Sequence, residues 1–378
     1  MCCHQRAYYP AYGFYANLPF ALATGMGTNF MFGALLQSNT LSFGAIMAIT
    51  LISGLIFVVL TIFGVRDLIV KAIPKNIKVA IGSAIGFYIA YLGFKNSGIG
   101  TFTNGIGMGN FKEPAVFIAL LGLVIIAVLT AYRVNGAILI GIVAVTVMGI
   151  PLGVTTLPDT FAKIPDVSSW GNIVFCFDFK GLLSFQAIVY VFIAFCGDFF
   201  STLGTVLGVA GKAGMLDEDG NMPGIQKPFL VDAIGDLCGS LYRQYHHHHL
   251  CGIHIRRGGG RQNRPDQYCG SCSLCCHGVL FAPDSDDTGK KRSHRPALIF
   301  VGFLMVSGIR NIDFSDFTEA FGPFVMIMFV IFCGSIAAGI AAGILAYIII
   351  KTATGKFKEL HPVMYVLAVP LVMYFVFK

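Results

Sequence analysis

A carboxylate set inside a long apolar run is the first residue of this chain that needs a chemical account. Asp198 is the single charged residue between Ser184 and Gly211. A charge at the centre of a membrane span costs about 3 kcal/mol on insertion scales unless it is paired, protonated or turned toward water, so such residues mark transport sites and proton relays. A carboxyl that takes up a proton on one side of a membrane and releases it on the other couples protons to transport. It can equally be a structural acid bonded to a neighbouring helix. Thr202 and Thr205 follow at helical spacing and share its face. Their hydroxyls can bond a heterocycle or turn back to carbonyls of their own helix. A second stretch, Thr24-Gly25-Met26-Gly27-Thr28-Asn29, suits a broken helix. Gly25 and Gly27 permit unusual backbone angles, and Thr28 and Asn29 can cap the helix that follows. Broken helices near the membrane midplane are where secondary transporters hold their cargo. The same stretch also reads as a small-residue helix contact.

These groups need helices to hold them, and the composition supplies spans. The chain of 378 residues is 56% hydrophobic and 12% charged, against about a quarter charged in soluble domains. Uncharged windows run over Phe43–Val65, Ala115–Tyr132 and Asn135–Leu157. Ala320–Ile350 is long enough for two short spans around Gly334 to Gly343, and Pro362–Phe377 closes the chain. Asn17–Leu36 and Val79–Leu92 are weaker spans. About 20 apolar residues cross a bilayer, and in lipid the backbone must satisfy itself, so these are helices. The net charge of +7 is carried in loops such as Lys71, Lys75, Lys78 and Lys351, Lys356, Lys358. Such clusters mark cytoplasmic loops rather than a nucleic-acid surface. No HExxH, GxSxG or paired catalytic carboxylates occur in a span, so no enzyme and no cofactor is expected.

Two stretches, 1–12 and 242–296, have a different composition. Of nine His, His4, His246, His247, His248, His249, His254, His277 and His294 lie there. So do Cys2, Cys3, Cys251, Cys269, Cys272, Cys275 and Cys276 of eleven Cys. Cys269-x2-Cys272-x2-Cys275-Cys276 has ligand-like spacing. A disordered or basic insertion is a further reading. The favoured reading is that both stretches are out of frame with the gene's message. Codons read one nucleotide later permit TGSTTITTYVES from Tyr242, ILMTPARSAATAP over Asp284–Pro296 and SALITLLM over Gln5–Tyr12, all apolar or membrane-like. In that case no metal site is expected.

The remainder resembles the adenine/guanine/hypoxanthine permease branch of the nucleobase:cation symporter-2 family. The residues that carry the resemblance are Tyr15-Ala-Asn-Leu-Pro-Phe-Ala-Leu-Ala-Thr-Gly25-Met26-Gly27-Thr28-Asn29-Phe30, Ile73-Pro74-Lys75-Asn76-Ile77-Lys78 and Asp198-Phe-Phe-Ser201-Thr202-Leu-Gly204-Thr205. Leu216-Asp217-Glu218-Asp219-Gly220-Asn221, Pro296–Gly302 and Asn311-Ile-Asp313 also match.

The resemblance implies an all-α polytopic membrane protein of two inverted seven-segment repeats, with a core and a gate domain, incomplete here because the chain begins within the second segment. Its parts would be 13–66 and 184–241 (core), 67–157 and 297–378 (gate), and 158–183 (a connecting loop). Ala80–Ile99 and Ala297–Phe314 echo one another: apolar, Gly-punctuated, then a basic residue before Asn. The expected activity is import of purine nucleobases across the plasma membrane with protons, sodium being less favoured. The expected substrate-binding residues are Thr28, Asn29, Phe30, Asp198, Thr202 and Thr205, with Gly25 and Gly27 at the break and Asp198 coupling protons. The lipid bilayer is the expected surrounding, a homodimer a possible assembly, and nucleic acid not a partner. Ser201 stands where the family often has a second Asp. The family's second-repeat TTYVES is absent as written, with Gly252 in place of its Glu, so the chain as it stands is expected not to transport. A sulfate-type anion carrier of the same fold and an inert pseudogene product are the alternatives. The lack of a mid-span Lys or Arg speaks against the anion carrier.

Overall fold

The computed structural model describes residues 23–24, 32, 35–36, 41–102, 105–134, 136–154, 177–179, 185–217, 220–241, 247–248 and 295–377. Its main elements are eleven helices: α1 (Phe43–Ile62), α2 (Val65–Ala72), α3 (Lys75–Ser97), α4 (Pro114–Ala131), α5 (Ala137–Gly149), α6 (Phe185–Ala213), α7 (Gln226–Leu241), α8 (Arg295–Val306), α9 (Phe317–Cys333), α10 (Ile336–Ala353) and α11 (Pro362–Phe377). Five of them, α1, α3, α4, α6 and α10, are long and apolar enough to cross a membrane. The polytopic all-α architecture read from the apolar windows is therefore the one observed.

Helix limits follow local chemistry. The Ser42 hydroxyl accepts from the Ala45 amide at the start of α1, which satisfies one of the orphan donors of a first turn. Between α9 and α10, Gly334 takes a left-handed φ of 58° and Ser335 caps the next helix. That pair splits Ala320–Ile350 into two helices. The window Asn135–Leu157 yields a shorter helix than its apolarity suggests. α5 ends at Gly149, and Ile150 keeps helical dihedrals (φ −63°, ψ −55°); Pro151 has no N–H to carry the hydrogen-bond ladder further.

The chain forms two compact units. One holds α1, α2, the start of α3, α6, α7 and α9–α11. Phe32, Ile46, Met47, Ile49, Val191 and Ala194 make a core cluster within it. In this unit α9 and α10 pack closely, since a Cβ on Gly339 would lie 2.0 Å from Val330 and one on Gly343 2.5 Å from Met326. The four-residue spacing of these glycines lets the backbones approach.

The second unit holds the rest of α3 with α4, α5 and α8. Here the segments that echo one another in sequence pack reciprocally. A Cβ on Gly86 would meet the Gly302 carbonyl at 2.9 Å, and one on Gly302 would meet the Gly86 carbonyl at 2.6 Å. The outer face of α4 stays apolar, with Phe117 59% and Val124 56% exposed, as expected for a helix turned to lipid rather than water.

Two short antiparallel ribbons depart from the all-helical expectation. β2 (Gly100–Thr101) pairs with β3 (Gly107–Met108) in the second unit. β1 (Ala23–Thr24) pairs with β4 (His247–His248) in the first, with Ala23 opposite His248 and Thr24 opposite His247. Backbone that leaves helical geometry must pair with something else in a membrane protein, and each ribbon provides that pairing.

Candidate functional site

β1 ends at Thr24, where the glycine-broken stretch begins, and β4 packs against α6 and α7. Gly25, Gly27, Thr28, Asn29 and Phe30 lie outside the described residues, as do the clustered cysteines Cys269 to Cys276. What the structure does bring together is the α6 face. Asp198 and Thr202 are each 1% exposed. Thr202 Oγ1 donates to Asp232 Oδ2 at 2.6 Å. Thr205 turns back instead, donating to the Ser201 carbonyl at 2.7 Å. Of the two uses open to these hydroxyls, the described geometry has Thr202 reaching across to another helix and Thr205 serving its own.

Asp232 is the residue that sequence reasoning missed. It sits on α7 and is fully buried. Its apolar surroundings, Phe229-Leu-Val and Ala-Ile-Gly235, are short, and Lys227 and Asp236 flank them. No long uncharged window forms there, so the carboxylate did not stand out. Two helices thus each bury an acid, and a threonine of one helix bonds the acid of the other. A buried carboxylate gains most from a hydroxyl donor at such a distance.

A buried cation was missed too, and it removes the argument that a lack of buried Lys or Arg speaks against an anion carrier. The window Phe43–Val65 stops one residue short of Arg66, the second residue of α2. Arg66 is 1% exposed. Its guanidinium lies 4.2 Å from the Phe57 ring centroid, 4.0 Å from that of Phe229 and 5.6 Å from that of Phe199. Nη1 donates to the Phe229 carbonyl and to Thr61 Oγ1, both at 3.2 Å. Aromatic faces and a carbonyl are what a desolvated guanidinium prefers.

A separate polar cluster ties helix ends. Lys351, 1% exposed, lies 2.6 Å from both Glu319 Oε1 and Glu359 Oε2. Tyr347 donates to Glu319 at 2.8 Å and Asn76 Nδ2 donates to it at 3.2 Å. Lys78 donates to Asn221 at 2.5 Å, and Gln226 donates to Asp67. Asp316, ahead of α9, accepts from Lys356 Nζ at 2.9 Å. The donors Lys356 and Thr318 hold its carboxyl well below the usual carboxylate range. Lys351 and Lys356 sit in the loop-end cluster that the charge pattern marks as cytoplasmic. The cluster is saturated by its own partners and reads as structural.

Helices long and apolar enough to cross a membrane, with two acids buried among them, fit a multi-pass membrane protein. The comparisons narrow this further. A family profile described as the permease family, of xanthine/uracil type, matches residues 1–243. The chain belongs to the xanthine/uracil permease family. A putative permease of Methanocaldococcus jannaschii is 34% identical over 375 residues, 97% of this chain and 84% of that one. The guanine/hypoxanthine permease PbuG of Bacillus subtilis is 31% identical over 97% of this chain and 83% of its own length. The adenine permease AdeP of Escherichia coli is 29% identical over 97% and 82%. Among solved structures, the murine Slc26a9 anion transporter matches with a TM-score of 0.47 at 13% identity, covering 82% of this chain and 52% of that one.

Proposed function

We propose that this permease imports purine nucleobases, adenine, guanine or hypoxanthine, driven by protons, and that Asp198 is the residue that couples the two. The observation that carries the reading is the pair of acids Asp198 and Asp232, buried on neighbouring helices, with Thr202 bonded to Asp232. The names of the bacterial relatives, which specify guanine, hypoxanthine and adenine, supply the cargo. A purine presents donors and acceptors at its edge and a flat face. Carboxylates and Thr28 and Asn29 suit the edge, and Phe30 suits the face. In this reading Gly25 and Gly27 open the helix so that backbone groups reach the cargo. Two inverted repeats divide into core and gate, and two copies of the chain assemble in the plasma membrane. The echo between Ala80–Ile99 and Ala297–Phe314, with its reciprocal Gly86–Gly302 contact, supports the repeat.

The second part of the proposal concerns 242–296, read as out of frame, as is 1–12. Three observations support it. The family match stops at residue 243. Alignments that run over 97% of the chain and 83–84% of its relatives leave no room for an inserted domain. The shifted reading permits Ile or Thr at 247 and 248, residue types that favour the strand pairing seen there.

The test of the cargo is radiolabelled hypoxanthine uptake by proteoliposomes carrying the frame-restored chain under an imposed pH gradient. Adenine and guanine should compete and sulfate should not. Asp198→Asn should reduce uptake at least a hundredfold with insertion unchanged. Unaltered uptake by that variant would sink the coupling role, and competition by sulfate alone would make the chain an anion carrier.

A further inference from the structure

We infer that Arg66 is the fixed counter-charge of the buried acids and the positioning residue for Asp232. The inference rests on reading Asp198 and Asp232 as the transport site and adds a cation to it. The guanidinium is anchored at the foot of that site. Its Nη1 bonds the Phe229 carbonyl in the first turn of α7. Asp232 is one turn further, roughly 4.5 Å along the helix axis. Phe199, against which the guanidinium also lies, is the neighbour of Asp198. A charge shielded from water by three aromatic rings is screened by salt far less than a surface one.

The anchoring is rigid. Phe57 and Phe229 bracket the guanidinium, and Thr61 bonds the same nitrogen as the Phe229 carbonyl. Four helices, α1, α2, α6 and α7, therefore meet on one side chain. A buried charge of either sign is costly alone, and removing one partner of a compensated set leaves the other exposed to that cost. The remaining charged neighbours are accounted for. Asp67 accepts from Gln226, Lys351 of α10 is held by Glu319 and Glu359, α1 carries no charge, and α11 none beyond its ends. The other charged residues and histidines on these elements are the exposed Lys71 of α2, Lys212 near the end of α6, Lys227 at the exposed start of α7, Asp236, and His247 and His248 of β4.

The experiment uses the full chain purified in detergent and needs no transport. Carbodiimides modify carboxyls in the protonated form, so labelling of the Asp198 and Asp232 peptides, followed by mass spectrometry, reads whether a counter-charge is present. Arg66→Gln should label at least tenfold faster at pH 7 than the unmodified chain, and Arg66→Lys should restore the slow rate. Should Arg66→Gln fail to fold, the double variant Arg66→Gln/Asp232→Asn should recover a monodisperse protein. Equal labelling rates in Arg66→Gln, or a double variant no better folded than the single one, would overturn the inference. Because neither reading depends on purine, a chain that binds none still decides it.

Discussion

Thr202 and Thr205 stand three residues apart on one helix and have the same side chain, yet the structure gives them different work. Thr202 crosses to Asp232 and Thr205 bonds its own Ser201 carbonyl. Removing the first donor leaves a buried carboxylate short of a partner, which costs about 1–3 kcal/mol. Removing the second frees a carbonyl whose helical bond remains, which leaves stability within about 0.5 kcal/mol. Thr202→Val should therefore lower the unfolding midpoint measurably in detergent, Thr202→Ser should restore it, and Thr205→Val should leave it in place. Equal losses from both valine variants would show that the Thr202 bond has no special weight. Sequence alone placed both hydroxyls on the Asp198 face but could not choose between their partners, because the chooser, Asp232, is distant in the chain. The same holds for Arg66. Its position beyond the last apolar residue of a span reads as a loop cation, and only the convergence of Phe57, Phe199 and Phe229 around it shows a buried one.

Whole elements were more legible than single contacts, for a physical reason. A span is set by a run of apolar residues, a local property, and its ends by Gly, Ser or Pro within the same few positions. The split at Gly334-Ser335 follows from such neighbours. The turn that precedes α9 shows the limit. Asp316 caps α9, its side chain accepting from the Thr318 amide, and its second partner, Lys356, comes from beyond α10. That pairing fixes the start of α9 to the turn after α10, and it has a pH signature. The folded carboxyl sits below its usual value, whereas in the unfolded chain it titrates near the ordinary value of about 3.9. Its contribution is therefore complete above that value and is lost as the pH falls toward the lowered one. Melting temperature followed from pH 6 down to pH 3 should fall more steeply for the natural chain than for Asp316→Asn, which has no such charge to lose. Parallel curves would show that the pair contributes nothing to holding the two helices together.

At the scale of the molecule, the sharpest question is whether one reading frame runs through the whole chain. In the proposed reading both repeats are needed, because the cargo sits where the broken elements of each repeat meet. The backbones of β1 and β4 are paired. As written, however, the chain after β4 carries Arg256, Arg257, Arg261 and Arg264 with three consecutive glycines, Gly258 to Gly260. Arginines at span centre cost about 3 kcal/mol apiece on insertion scales. A stretch so charged does not insert unaided. The shifted reading replaces it with Thr-Thr-Tyr-Val-Glu-Ser and apolar residues, and puts a carboxylate where Gly252 now stands. Two proteins should therefore be compared in the same membrane: the chain as written, and a version with the frame restored over 1–12 and 242–296. The restored version should accumulate hypoxanthine down a proton gradient, and the chain as written should show no uptake above empty vesicles. Robust uptake by the chain as written would mean that its His- and Arg-rich segment completes the site by other residues. Failure of both would mean that the missing second-repeat carboxylate is not what silences the carrier, and the inert product of a decaying gene would be the better account.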